Sequence, residues 1–422
     1  MKRHRIFYGW YVVIALFIVG IVTSSVRYML PIFTTSFIKD FGWPRTTIGF
    51  AFTLNFWIAS VGGPLIGLLI DRFGGRVITT IGGIFLVSSL VLLSTMTNVT
   101  QFYIYYSLIA GLGICCTFYV PLNSIPRKWF IKRAGLAVSL ALIGAGLGLA
   151  IAPPIANILI DQFGWRKAFI IFGIPSGLLS IVIAATVIRD SPESIGLLPD
   201  GERPMTLFTP LKETINSKPY LAIGEQNFGV KDAMNTSSFW FLNFAYGLSL
   251  IGIMGVIPHM VTWAQDLHIG RGSVAFALFI LGIFSVSSRI LGGIMRDRFG
   301  GKVPIGISMV GLMIISLYAL TINQVISLYI FSVLAGIFYG LNLPAWIPLL
   351  GDLFGRKSVG TLMGVLSLSF GFISGSGPAI FGWIFDHYGT YHLGFIFSTI
   401  CYLIALVLIL LIKKPQPKLV PV

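Results

Sequence analysis

The stretch GLLIDRFGGRV at residues 67–77 returns almost unchanged as GGIMRDRFGGKV at residues 292–303. Its three glycines and its aspartate recur at a spacing of 226 residues. A second pair, APPIANILIDQFG at residues 152–164 and GPAIFGWIFDHYG at residues 377–389, matches at a spacing of 225 residues. A nearly constant spacing over separate elements predicts two halves of the same architecture in the same order.

The composition places both halves in a membrane. Of the 422 residues, 56% are hydrophobic and only 10% are charged, far less charge than a soluble surface needs. Apolar runs that could cross a hydrocarbon core of about 30 Å recur from end to end. They predict twelve spans, near residues 9–37, 46–70, 77–96, 101–126, 135–160, 167–189, 237–264, 272–295, 303–322, 325–350, 359–385 and 392–412. We expect an all-α polytopic membrane protein with two pseudo-symmetric six-helix bundles.

One long polar segment divides the chain. It covers residues 190–235 and has little apolar periodicity, so it reads as a linker on the cytoplasmic side. The predicted domains are an N-terminal bundle over residues 1–189, this linker, and a C-terminal bundle over residues 236–422.

The net charge of +15 reflects how the chain is oriented in the membrane. Most of the 29 Lys and Arg lie in the termini and in loops that follow even-numbered spans. By the positive-inside rule, both termini are then cytoplasmic, so the basic balance does not indicate nucleic acid as a partner. We expect a multi-pass protein of the plasma membrane, or of the inner membrane in a bacterium. The exceptions on the other side are Lys39, Arg45, Arg166, Lys167 and Arg271.

An arginine deep in the eighth span is a candidate for a binding role. Arg289 lies eight residues before Asp297, the first carboxylate that follows it, which places it about 12 Å deeper in the helix. An arginine at that depth costs at least about 2.5–3.5 kcal/mol, so it should face an aqueous cavity or a partner. Its helical stripe contains Gly282, Ser285 and Gly292, which are small or polar. A structural arginine that reaches helix-end carbonyls is the alternative.

Arg27 is a second deep arginine, in the first span. It lies 17 residues after Trp10 and 13 before Asp40, on a stripe that includes Ser24 and Thr34. A helix-packing role is the alternative here. Together, Arg27 and Arg289 predict a cationic cavity.

The chain offers these arginines no carboxylate of matching depth. All fourteen acidic residues fall in loops, in the linker or in the last turn of a span. A desolvated charge without a counter-ion is costly. The simplest resolution is that the counter-ion is an anionic substrate, because a guanidinium binds a carboxylate through two parallel hydrogen bonds.

The repeated loop sequences resemble the signature of the major facilitator superfamily. FYGWYVV at residues 7–13, FGWPR at residues 41–45, WFIKRAGLAVSLALIGAG at residues 129–146 and RDSPESIGLLPDG at residues 189–201 narrow the resemblance. Together with the arginine in the eighth span, they resemble the monocarboxylate porters and the related oxalate/formate antiporters.

That resemblance implies further pore-lining residues and a gate. The implied lining residues are polar or aromatic: Asn55, Tyr119, Asn123, Asn243, Tyr246, Tyr339 and Asn342. For each of them, hydrogen bonds to neighbouring helices without a ligand are the alternative. It also implies that Asp71 and Asp297 lie near the cytoplasmic starts of the eleventh and fifth spans, where they would hold that side shut. Arg76, Arg133 and Arg356 belong to the same predicted gate.

The sequence offers few other residues that could take part in proton transfer, metal binding or catalysis. His259 is a span histidine that could titrate near neutral pH and couple protons, although a hydrogen-bonding role near a helix end competes with that interpretation. Cys115, Cys116 and Cys401 lie within spans, so we expect no disulfide, no metal and no cofactor. The sequence shows no nucleophile–base pair, so we do not expect an enzyme.

The sequence therefore predicts a secondary transporter of small organic anions, working by alternating access. Monocarboxylates such as lactate or pyruvate, or small dicarboxylates, would move by proton symport or by anion exchange. We expect a monomer in the bilayer. An exporter of amphiphilic or neutral compounds is the alternative, and a transporter-like carboxylate sensor is a more remote one.

Overall fold

The computed structural model describes residues 7–201, 228–355 and 359–415, apart from the side chains of residues 119, 359 and 360. Every regular element in these ranges is a helix. Eleven helices are long and apolar enough to cross a membrane. One of them, Ala134–Thr186, runs over 53 residues and is broken at Gly164, whose φ of 76° turns the chain sharply. It provides two spans, so the twelve predicted spans are present.

We number the twelve helices in chain order. They are α1 (Tyr8–Phe41), α2 (Arg45–Phe73), α3 (Gly75–Ser94), α4 (Val99–Trp129), α5 (134–163), α6 (165–186), α7 (Ser237–Asp266), α8 (Arg271–Phe299), α9 (Lys302–Thr321), α10 (Val325–Phe354), α11 (Thr361–Tyr388) and α12 (His392–Leu411). Helices α1–α6 form the first half and α7–α12 the second half.

Both ends of each half meet on one face of the molecule, which we call the termini face. In the first half, the Tyr8 hydroxyl at the start of α1 donates to the carbonyl of Val187, just after α6. In the second half, the Ser238 hydroxyl at the start of α7 donates to the carbonyl of Lys413, just after α12. The other side of the bilayer is the opposite face.

The halves meet along two seams, α2 with α11 and α5 with α8. Both seams bring backbone against backbone at glycine. A Cβ on Gly382 of α11 would lie 2.5 Å from the carbonyl oxygen of Arg45, and a Cβ on Gly282 of α8 would lie 2.6 Å from the amide nitrogen of Ala150. Side chains at these positions would separate the halves.

Charged residues latch both seams at the opposite face. Arg45 at the start of α2 pairs with Asp266 at the end of α7, at 2.5 Å. The backbone amides of Arg45 and Thr46 donate to the Asp386 carboxylate at the end of α11, at 3.1 and 2.7 Å. We call this the first latch.

The second latch repeats the first at the other seam. Arg271 at the start of α8 pairs with Asp161 at the end of α5 and donates to the Asn157 amide oxygen at 2.9 Å. Arg45 and Arg271 occupy equivalent places in the two halves, as Asp161 and Asp386 do. The internal repeat thus produces two equivalent latches across the boundary between the halves.

Aromatic residues brace the first half toward the opposite face. The Phe33 ring of α1 stacks on Phe169 of α6 at 4.0 Å, and Phe37 meets the edge of Phe102 of α4 at 5.4 Å. Trp165 at the start of α6 donates its indole N–H to Asp40 at 2.7 Å. These contacts tie α1, α4 and α6 into one unit.

We expect Gly382→Val to open the opposite face, because the added side chain would collide with the backbone of Arg45. The reporter is a cysteine at Thr53, which is buried at the α2–α11 seam and accepts from the Ala379 amide at 3.2 Å. In a background with the native cysteines replaced by alanine, a membrane-impermeant maleimide added to the opposite face should label Thr53→Cys faster when Gly382 is valine. Gly293→Val is the matched control, because a Cβ at Gly293 meets no atom within 4 Å. Equal labelling of both variants would contradict the role assigned to the seam.

Candidate functional site

A cavity of ≈ 160 Å³ lies between the two halves, at mid-depth and toward the termini face. Helices α1, α2, α4 and α5 line it from the first half, and α7, α8, α10 and α11 from the second half. Its polar lining residues are Thr23, Ser24, Arg27, Asn123, Arg289 and Ser367. Its aromatic lining residues are Tyr28, Phe56, Phe118, Tyr246, Tyr339 and Phe370. Both arginines singled out in the sequence therefore reach one cavity, one from each half.

Arg27 is almost fully buried, with 6% of its surface exposed. Its Nη2 donates to the side-chain oxygen of Asn55 at 3.1 Å, and its guanidinium lies over the Phe56 ring at 4.3 Å. A cation over an aromatic face gains about 0.5–2 kcal/mol, more where water is excluded. Its Nε has no hydrogen-bond partner among the described residues. Arg27 is thus held by groups that carry no negative charge.

Arg289 reaches across the α5–α8 seam. Its Nη1 approaches the backbone carbonyl of Leu142 at 3.4 Å, and its guanidinium lies beside Gly146, where a Cβ would come within 3.6 Å of the Arg289 Cζ. Its Nε also lacks a partner among the described residues. The oxygen that holds it is again uncharged.

No aspartate or glutamate is present among the residues that line the cavity in the described part of the chain. The ion pairs of the described residues lie near the two faces, in the latches and in pairs within each half. The site therefore has two cations and no internal carboxylate in those ranges. An anion with two or more oxygens is the chemical complement of this arrangement.

Three other predicted lining residues also reach the cavity: Asn123, Tyr246 and Tyr339. Tyr246 stacks on Phe370 at 5.5 Å, so a ring of α7 and a ring of α11 form one wall. The side chain of Tyr119 lies outside the described residues.

Three predicted lining residues, Asn55, Asn243 and Asn342, are not among the residues that line the cavity. Asn55 bonds to Arg27 and to the Tyr106 carbonyl.

The Asn342 side-chain oxygen accepts from the indole N–H of Trp346, one helical turn further along α10. Asn243 donates to the Phe239 carbonyl at 2.9 Å and accepts from the Ser369 hydroxyl at 3.0 Å. The Asn243 side chain is thus bonded within α7 and to α11, as the hydrogen-bonding alternative to a substrate contact predicts.

His259 is also remote from the cavity. It is 3% exposed, its Nε2 lies 2.8 Å from the carbonyl oxygen of Pro378, and its ring lies 5.6 Å from that of Tyr391. This position is next to the first latch, because Arg45 donates to the Tyr391 hydroxyl at 3.1 Å.

Within the described ranges, the predicted gate carboxylates Asp71 and Asp297 pair inside their own halves. Asp71 pairs with Lys128 within the first half at 3.7 Å. Asp297 and Asp352 both pair with Arg296 within the second half, at 2.9 and 3.1 Å. The latches at the opposite face explain the difference, because alternating access keeps only one side closed at a time.

The remaining gate residues are placed as follows. Arg76 is exposed in the first turn of α3, and its backbone amide donates to the Asp190 carboxylate at 2.9 Å. Arg133 is exposed just before α5. Arg356 lies outside the described residues.

Sequence reasoning missed several lining residues. Ser24 shares the helical stripe of Arg27, and this spacing placed it correctly on the polar side. Thr23 and Ser367 gave no comparable signal, because single hydroxyl residues are common inside membrane helices, where they bond to carbonyls of their own helix. Phe56 and Phe370 cannot be told from lipid-facing rings by composition.

The superfamily model described as "Major Facilitator Superfamily" matches residues 12–244 and again 239–421, one match for each half. The chain belongs to the major facilitator superfamily. The superfamily match confirms the fold class and the first resemblance, and it makes the protein a multi-pass membrane transporter.

Proteins related to this chain support the narrower resemblance, to the monocarboxylate porters. Monocarboxylate transporter 12 of Xenopus laevis is 27% identical over 405 residues, which cover 93% of this chain and 85% of that protein. Monocarboxylate transporter 14 of Mus musculus is 30% identical over 222 residues, which cover 52% of this chain and 42% of that protein. The resemblance to monocarboxylate porters is confirmed at low identity.

A solved structure shares the fold. A bacterial homologue of the human lysosomal transporter Spinster, in an inward-facing and occupied conformation, superposes with a TM-score of 0.75 at 17% identity. The match covers 97% of each chain.

We expect Asn243→Ala to lower stability without changing the affinity for cargo, because Asn243 links α7 to α11 and does not line the cavity. A lost interhelical hydrogen bond costs about 0.5–1.5 kcal/mol. Thermal unfolding in detergent should shift down by a few degrees, while the KM for transport stays unchanged. Ser376→Ala is the control, since the exposed Ser376 hydroxyl bonds only to a carbonyl of its own helix. A raised KM with unchanged stability would return Asn243 to the binding site.

Proposed function

We propose that this protein is a secondary active transporter of small organic anions, and that a carboxylate binds between Arg27 and Arg289. The observation that carries the proposal is the pair of guanidinium groups on one cavity, which have no carboxylate partner among the described residues and bond to uncharged oxygens. Monocarboxylates of the size of lactate or pyruvate, or small dicarboxylates, suit the cavity of ≈ 160 Å³. The relationship to monocarboxylate transporters supports the same class of cargo.

The arginines come from opposite halves, and this supports a mechanism of alternating access. A carboxylate between them would draw the halves together and cancel charge that otherwise resists burial. The latched conformation is then the one open to the termini face. By the positive-inside bias of Lys and Arg, that face is cytoplasmic and the membrane is the plasma membrane, or the inner membrane in a bacterium.

The same charge balance governs coupling. An empty cavity that holds two uncompensated cations should close slowly, whereas a loaded cavity closes readily. In anion exchange, a second anion fills the cavity on the return step. In proton symport, a proton enters with the anion and the empty cavity returns by the slow step. The proposed gate at the termini face, with Asp71 and Asp297, would form in the conformation that is open to the opposite face.

The first test replaces the arginines. Arg289→Lys keeps a positive charge but loses the two-pronged hydrogen bonding, and Arg27→Gln removes the charge. Losing one charge-assisted hydrogen bond of about 1.5–3 kcal/mol should weaken anion affinity by about tenfold to about a hundredfold. The measurement is uptake of radiolabelled pyruvate, lactate and succinate by proteoliposomes.

Arg298→Lys is the matched control, because Arg298 is exposed near the end of the same helix and does not line the cavity. It should transport like the parent protein. Normal transport by both Arg289→Lys and Arg27→Gln would refute the assigned site. Efflux of neutral or cationic dyes that survives both substitutions, without carboxylate uptake, would favour an exporter of amphiphilic compounds.

The second test addresses coupling. If closing the empty cavity costs about 1.4 kcal/mol more than closing the loaded one, initial uptake of the labelled anion should rise by about tenfold under one of two conditions. The first is preloading of the vesicles with unlabelled anion. The second is a more acidic pH on the side from which the anion is taken up. Preloading alone would identify exchange, and the pH gradient alone would identify symport. Equally fast uptake into empty vesicles at equal pH would contradict the charge-balance argument.

A further inference from the structure

Asn55 of α2 is buried in the interior of the molecule, next to Arg27. It is 0% exposed, and its side-chain oxygen accepts from Nη2 of Arg27 at 3.1 Å. Its side-chain nitrogen donates to the backbone carbonyl of Tyr106 at 3.0 Å. Asn55 thus connects α1 to α4 through one amide group.

The chemistry of the two neighbours fixes how this amide is turned. A guanidinium has donors only, and a backbone carbonyl accepts only, so the Asn55 oxygen must face Arg27 and its nitrogen must face Tyr106. The Tyr106 carbonyl belongs to a π-helical segment, Tyr103–Ala110. Such segments are rare and occur often at functional sites. Asn55 is therefore oriented by a carbonyl within the π-helical segment of α4.

The amide holds Arg27 without neutralising it. With one Nη on Asn55 and the guanidinium over the Phe56 ring at 4.3 Å, the group is fixed in position and keeps its full positive charge. An aspartate of nearly the same shape would hold Arg27 as well and would cancel the charge. The neutral side chain is therefore the feature that leaves this cation available to an anion.

We infer that Asn55 is a positioning residue, which sets anion affinity by anchoring Arg27 through an uncharged acceptor. The inference rests on the proposed function, since it concerns the anion that Arg27 binds. The residue that touches the anion is Arg27; Asn55 acts through it.

The decisive variant is Asn55→Asp, which gives Arg27 an internal counter-ion that competes with the substrate. For pyruvate, the KM at pH 7.5 should rise at least about tenfold, a cost of about 1.4 kcal/mol, while the maximal rate changes little. The adjacent guanidinium favours the ionised carboxylate, so the KM should stay raised at pH 5 and should exceed that of a neutral variant at both pH values.

The pH comparison is made as exchange at equal pH on both sides, relative to the parent protein over the same range. The other titratable groups that interact with Arg27 from neighbouring elements are the Tyr106 phenol and the Cys115 thiol. The ordinary pKa values of these groups are about 10 and about 8.5, so neither changes charge between pH 5 and pH 7.5.

Asn55→Leu separates positioning from stability. It removes the anchor without adding charge, so it should raise KM by less than Asn55→Asp does, at both pH values. An equal KM for Asn55→Asp and Asn55→Leu across the pH range, or a parental KM for Asn55→Asp, would overturn the inference.

A double-mutant cycle keeps the test decisive if Asn55→Asp does not fold. Pyruvate affinity is then measured by thermal stabilisation in detergent for Arg27→Gln, Asn55→Leu and the combined variant. Substitution of Asn55 should weaken affinity when Arg27 is present and should have no added effect once Arg27 is glutamine. Additive losses would overturn the positioning role. Failure of the proposed function is a distinct result, because Arg27→Gln would then bind and transport pyruvate normally.

Discussion

An arginine held inside a membrane by uncharged oxygens keeps its positive charge, and this constraint shapes the rest of the molecule. Arg27 is held by the Asn55 amide and Arg289 by the Leu142 carbonyl, at 3.1 and 3.4 Å. An internal carboxylate would stabilise either arginine more strongly and would leave nothing for cargo to neutralise. The fold accepts a less stable empty site, and under the proposed function an anionic substrate would supply the missing stabilisation.

The internal repeat explains how such a site changes sides. Each half carries an arginine at the start of its second helix and an aspartate at the end of its fifth, so one sequence pattern yields two equivalent latches. The latches act at 2.5 Å for Arg45 with Asp266 and through Arg271 with Asp161. The two arginines are largely buried, with 14% and 19% of their side chains exposed, whereas Asp266 and Asp161 are more exposed, at 35% and 58%. Both ion pairs would have to break for the opposite face to open.

The sequence predicted the fold well because the signals were long. Twelve apolar runs and two matched repeats cover most of the chain, and each carries many residues of evidence. The arginines were predicted for a similar reason, since a charge among apolar residues has few explanations. Their shared cavity followed from the acidic residues, none of which lies at matching depth.

The polar details were harder to predict. Asn342 and Asn243 lie at mid-helix positions like Asn123, but only Asn123 reaches the cavity. Whether an amide turns to a cavity or to a neighbouring helix depends on a rotation of a few tens of degrees about α10 or α7. Sequence spacing does not determine that rotation. The sequence also could not predict which face is closed, because a repeat is compatible with both conformations of a transporter.

The aromatic bracing of each half has a consequence for optical measurements. Trp165 and Trp263 lie inside rigid groups of rings, the latter 4.8 Å from Phe395, so rocking of the halves leaves their surroundings unchanged. Trp57 of α2 instead faces Phe372 of α11 across the boundary at 5.5 Å. Separation of the halves should therefore change the fluorescence of Trp57, which serves as a built-in spectroscopic probe of the distance between the halves.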